Sequence, residues 1–182
     1  MLGNDVVDLA LAKAESNWRR QNYLSKIFSP TEQQIIRSAV QPDILVWLMW
    51  SMKESTYKII NRDSGLRLFN PTAFCCSFKM NGLRATGFVN FREQMFLTHS
   101  DIDTNCIHTL SLKASVSKDR CHVLSIENSA DYRAEFNRQS SGLILEKDHS
   151  GLPQIVDSIK NTVHMASISH HGKFVKVAYM KQ

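Results

Sequence analysis

The chain has 182 residues, 43% hydrophobic and 21% charged, which suits one globular domain with a real core and excludes a disordered or fibrous protein. Its 22 lysines and arginines against 17 aspartates and glutamates leave a net charge of +5, an excess that favours acidic partners. The basic residues are scattered, with no dense run beyond Arg19-Arg20, which argues against a DNA- or RNA-binding domain. Cys75, Cys76, Cys106 and Cys121 show no C-x-x-C spacing, so free thiols in a reducing compartment are expected. The longest apolar run, ILVWLMW (44–50), is too short to span a bilayer, and Asp5 and Asp8 interrupt any signal-peptide core. The expectation is a soluble cytoplasmic protein with no membrane partner, folded as one domain over residues 1–182.

In chain order, MLGNDVVDLALA (1–12) opens as a short extended piece that turns into helix after Asp8. In an extended segment Asp5 and Val7 face one way and Val6 and Asp8 the other, so one acid can point into a site. Either acid can equally serve as a helix cap. AKAESNWRRQNYLSKI (12–27) has helical composition. FSPTEQQIIRSAV (28–40) predicts a helix capped by Ser29, with Pro30 in the first helical position and Glu32 three residues after the cap.

After the break at QPD (41–43) comes LVWLMWSMKESTYKII (45–60), a helix apolar on nearly every side and therefore expected to be buried. Residues Asn61 to Gly65 end it. A carboxylate on a buried helix is unfavourable without compensation. Glu54 and Lys58 stand i and i+4, so they either pair with each other or together hold something else. A carboxylate beside an ammonium suits a metal-bound phosphate, with the acid on Mg²⁺ and the lysine on phosphate oxygens.

FCCSFKM-NG-LRATGFV (74–89) predicts a β-hairpin turning at Asn81-Gly82. EQMFLTHS (93–100) and CIHTLSLKASV (106–116) continue as strands, SADYRAEFNRQ (129–139) as a short helix, and the last segment as two strands around SHHG. In that turn Ser169, His170 and Gly172 offer a hydroxyl, a ring and backbone N–H groups to a phosphate, or form an ordinary polar turn. Helices followed by mostly antiparallel strands predict an α+β fold. No G-x-S-x-G elbow, P-loop or G-x-G-x-x-G is present.

Taken together, GND (3–5), FSPTE (28–32), WSMKESTYK (50–58), GLP (151–153) and SISH (167–170) resemble the 4′-phosphopantetheinyl transferase superfamily, in its holo-acyl-carrier-protein synthase-like branch. The resemblance covers residues 1–60 and roughly 142–180. It implies a phosphopantetheinyl transferase-like fold of helices on a mostly antiparallel sheet. It implies transfer of the 4′-phosphopantetheine arm of coenzyme A to a serine of an apo acyl or peptidyl carrier protein, with release of adenosine 3′,5′-bisphosphate. Asp5 and Glu54 would ligate Mg²⁺, Lys58 would contact the pyrophosphate with Lys53 close by, and Ser169 and His170 would help hold the nucleotide end. The serine proton would fall to Glu54, to a neutral Lys58 or to a metal-bound water. The basic balance suits an acidic carrier from fatty-acid, polyketide or peptide synthesis. Asp8 stands where the synthase branch often has Glu, and Leu11 near its carrier-contacting arginine, a part open to Lys13, Arg19 or Arg20. Val7 stands where the double-length branch of the superfamily offers a third acidic ligand, so two protein carboxylates plus waters are expected. Single-motif synthases assemble as trimers, so a homo-oligomer is expected. The rival reading is a non-catalytic homologue that binds coenzyme A or a carrier protein.

Overall fold

A computed structural model describes residues 1–65, 67 and 69–180. The first strand, β1 (Leu2–Asp8), leads directly into α1 (Leu9–Glu15), and the Asp8 carboxylate caps that helix by accepting from the amides of Ala10 and Leu11. Segment 12–27, expected to be helical, is interrupted: only α1 and the short α2 (Tyr23–Ile27) form, and Asn22 between them takes a left-handed φ of 63°. Asn tolerates that conformation, which a continuous helix forbids. The α3 helix (Pro30–Ser38) starts with the expected capping box, Ser29 and Glu32 each accepting from the other's amide. The apolar α4 (Pro42–Ser64) follows.

All strand pairing is antiparallel and divides between two five-stranded sheets. The first holds β1, β2 (Phe74–Asn81), β3 (Arg84–Phe91), β4 (Gln94–Ile102) and β5 (Cys106–Lys113), in the order β1-β5-β4-β3-β2. The second holds β6 (Cys121–Glu127), β7 (Leu143–Lys147), β8 (Pro153–Asp157), β9 (Thr162–His171) and β10 (Phe174–Met180), in the order β6-β10-β9-β8-β7. The helix α5 (Tyr132–Gln139) lies between β6 and β7 in the chain and buries Phe136 against the second sheet. The α+β expectation therefore holds, with two sheets in place of one. Strands β6, β7 and β8 lack an alternating pattern strong enough to announce them. The β2–β3 loop is one residue later than expected: Asn81 still pairs with Arg84, and Gly82-Leu83 make the turn. Only Gly82, at the first loop position, has a positive φ (59°), as a type II′ turn requires. Among the described residues no helix is long and apolar enough to cross a membrane.

Two apolar clusters make the core. One, including Phe28, Ile36, Val46, Leu48, Met49, Met52 and Val89, lies between the helices and the first sheet. The other, around Phe136, Ile155 and Val175, belongs to the second sheet. Leu2, Leu110, Leu112 and Ala178 join the two sheets where β1 meets β10. Strand β1 is buried throughout its length because β5 flanks it, α4 covers it and β9 runs beside its free edge.

The face of α4 toward β1 and β5 is built from small residues, Ser51, Ser55 and Thr56, all buried. Gly3 completes the close approach: a Cβ at that position would stand 2.1 Å from the Ser55 carbonyl oxygen. Gly3→Ala is therefore expected to push α4 off β1 at a cost of about 1–3 kcal/mol. For a chain of this size that lowers the melting temperature by several degrees. An unchanged thermal melt would contradict this packing.

Candidate active site

The second sheet meets β1 through side chains. As an edge strand, β1 has outward amides at Asn4, Val6 and Asp8 that need acceptors. On β9 the residues Ser167, Ser169 and His171 recur at the same two-residue spacing and supply them, at 3.0, 2.8 and 2.8 Å. The Asp8 carboxylate reaches back across this junction to accept from the Lys173 amide at 3.2 Å, holding the β9–β10 turn against the start of α1. The "SHHG" turn is thereby fixed beside the GND segment.

Asp5 lies in this junction. Its Oδ1 accepts from Ser169 Oγ at 2.9 Å and from Lys58 Nζ at 3.3 Å, and its backbone oxygen accepts from Ser51 Oγ at 3.3 Å. Burial pushes its carboxyl above the usual range, against the opposing pull of Lys58 and the Ser169 hydroxyl. Lys58 turns toward β1 and not toward Glu54: Nζ donates to the Asn4 carbonyl at 2.7 Å as well as to Asp5. Its side chain stays 29% exposed, and among the described residues two of its three N–H groups are used, which leaves one for a ligand.

The Glu54 side chain makes no hydrogen bond or ion pair among the described residues. Burial, with added repulsion from Asp5, raises its carboxyl from 4.5 to about 7. Asp5 and Glu54 border the same cavity of about 220 Å³, together with Val7, Trp47, Trp50, His170 and His171. Two largely buried carboxylates facing one space repel each other, and a hard divalent cation would remove that repulsion. The donor set fits Mg²⁺, which takes one or two carboxylates and completes its shell with water and phosphate oxygens. Among the described residues no three His, Cys, Asp or Glu side chains gather as a metal-binding group.

The remaining residues singled out in the sequence fall in different places. His170 is exposed and borders the cavity. Ser169 is only 3% exposed, and its hydroxyl is occupied by the Val6 amide and Asp5. Its hydroxyl orients Asp5 from inside the junction. Lys53, expected near a pyrophosphate, is 0% exposed on another face of α4. Its ammonium donates to Glu32 Oε2 at 2.7 Å and to the carbonyls of Pro71 and Phe74 at 3.0 and 2.6 Å, which uses all three N–H groups. Asp8 is a cap and turn clamp. Leu11 and Lys13 lie on α1, and Arg19 is held bidentately by Asp43. His171 was not singled out in the sequence; the signal that marks it is its place two residues after Ser169 in the alternating Ser167-Ser169-His171 series.

The sequence profile of the 4′-phosphopantetheinyl transferase superfamily matches residues 1–134. No curated protein matches the chain. Among solved structures, the holo-[acyl-carrier-protein] synthase (AcpS) of Thermotoga maritima is similar at 13% identity and a TM-score of 0.43. That alignment covers 84% of this chain and 80% of the other.

Proposed function

The chain belongs to the 4′-phosphopantetheinyl transferase superfamily, and on that premise we propose that it moves the 4′-phosphopantetheine arm of coenzyme A onto a serine of an apo acyl or peptidyl carrier protein, releasing adenosine 3′,5′-bisphosphate. The observation that carries this reading is Glu54, a carboxylate with no hydrogen-bond or ion-pair partner among the described residues that shares a cavity with Asp5. Mg²⁺, held by those two residues, would neutralise the pyrophosphate during transfer.

The chain's own groups supply the rest. The third N–H of Lys58 donates to a pyrophosphate oxygen, and Ser169 and Lys58 orient Asp5 and counter the effect of its burial. His170, exposed at the cavity's edge, faces the nucleotide portion of the coenzyme. The serine hydroxyl gives its proton to a Glu54 carboxylate oxygen. The excess of positive charge favours an acidic carrier, and we extend the reading to a homo-oligomeric enzyme of the cytoplasm.

Incubation with coenzyme A, Mg²⁺ and apo carrier proteins tests this. The expected result is a mass increase on a carrier equal to one phosphopantetheine, lost when Mg²⁺ is chelated. No modification of any carrier from fatty-acid, polyketide and peptide systems would defeat the proposal.

A further inference from the structure

The inference rests on the transferase reading and concerns a residue that reading leaves unused. Of the three β9 side chains that satisfy the β1 edge, two are buried hydroxyls. The third is an imidazole, His171, which is only partly buried and borders the cavity with Asp5 and Glu54. A backbone amide donates only to a ring nitrogen that carries no proton. The 2.8 Å bond from the Asp8 amide therefore makes Nδ1 the acceptor and places the proton of the neutral ring on Nε2. Nε2 has no hydrogen-bond partner among the described residues. The turn that follows the ring is also tied to Asp8, whose carboxylate accepts from the Lys173 amide within it.

A donor of fixed tautomer, on a rigid strand, beside two carboxylates suited to a shared cation has an obvious chemical complement. That complement is a phosphate oxygen drawn in by the same cation. A hydroxyl at position 171 would satisfy the Asp8 amide equally well, as Ser167 and Ser169 do for their amides, but it leaves no second donor. We propose that His171 is a further substrate-binding residue: its Nε2–H donates to a pyrophosphate oxygen of coenzyme A beside Asp5 and Glu54, while Nδ1 takes the Asp8 amide and fixes the ring.

The test uses the full chain, titration calorimetry with coenzyme A and with dephospho-coenzyme A in Mg²⁺, and thermal melts. In His171→Asn the side-chain oxygen still accepts from the Asp8 amide, but its NH₂ falls short of the Nε2 position. It should melt within about 2 °C of the parent and bind both coenzymes about tenfold more weakly. His171→Gln carries an N–H at the reach of Nε2 and should recover part of that loss. His171→Asn binding both coenzymes within about twofold of the parent would overturn the proposal. So would a loss seen with coenzyme A alone, which would put the ring at the 3′-phosphate. So would a loss that tracks a falling melting temperature and is not relieved by Gln, which would make the residue structural only. Failure of the parent protein to bind coenzyme A at all is a separate result, and it would take the transferase reading down with it.

Discussion

Glu54→Gln is expected to lower carrier modification by at least about 10³-fold while making the metal-free protein more stable at pH 8. Loss of activity follows from removing one of two cation ligands and the proton acceptor together. The gain in stability follows from linkage. The folded-state value of Glu54 is raised from 4.5 to about 7, so ionising this group opposes folding. Below about pH 4.5 the carboxyl is protonated in both states and the substitution is close to neutral. Between there and about pH 7 the parent loses stability that the glutamine variant keeps, and above pH 7 the difference is complete. Its ceiling is about 3 kcal/mol, which for this chain length means several degrees in melting temperature. Saturating Mg²⁺ should raise the melting temperature of the parent and leave that of Glu54→Gln nearly unmoved, because a ligand stabilises only the state that binds it. Full turnover in the variant, or an equal response of both proteins to Mg²⁺, would remove Glu54 from its assigned place.

The apolar α4 announced this site because an acid in the middle of its apolar stretch needs a reason. Short-range chemistry was equally plain in the sequence: the Ser29–Glu32 capping box, the turn into helix at Asp8 and the β2–β3 hairpin all depend on neighbours within a few residues. What the sequence could not display is direction. Lys53 and Glu54 are adjacent, yet about 100° apart around the helix, so one is sealed in the core and the other opens on the cavity. Lys58 was as free to pair with Glu54 at i+4 as with Asp5, 53 residues away; the approach of β1 across the small face of α4 decides for Asp5. The part of Ser169 is likewise set by tertiary contact. A serine in a polar turn reads as exposed, and only the pairing of the β9 side chains with the β1 edge makes it an internal hydrogen-bonding residue. Weak alternation hid β6, β7 and β8, although a second sheet was needed to bring His170 and His171 to the cavity.

Lys53→Met is expected to be the most destabilising of these substitutions, with coenzyme binding left almost intact. The Lys53–Glu32 pair is nearly without solvent, at 0% and 2% exposure, and it ties three parts of the fold together. Glu32 closes the α3 capping box through Ser29 and accepts from the Cys76 amide at the start of β2, and Lys53 anchors the carbonyls of Pro71 and Phe74. Removing the lysine strands a buried carboxylate, a buried carbonyl and a part-buried one, a loss of about 3–5 kcal/mol and roughly 10 °C in melting temperature. Glu32→Gln combined with Lys53→Met should recover part of it, because the glutamine leaves no uncompensated charge, so the two effects are strongly non-additive. At a temperature where each variant is folded, coenzyme A affinity should remain near that of the parent. A lysine directed at the pyrophosphate would give the reverse pattern, a large drop in affinity with an ordinary melt. The pair of measurements therefore separates a residue that holds α4 in place from one that holds the substrate.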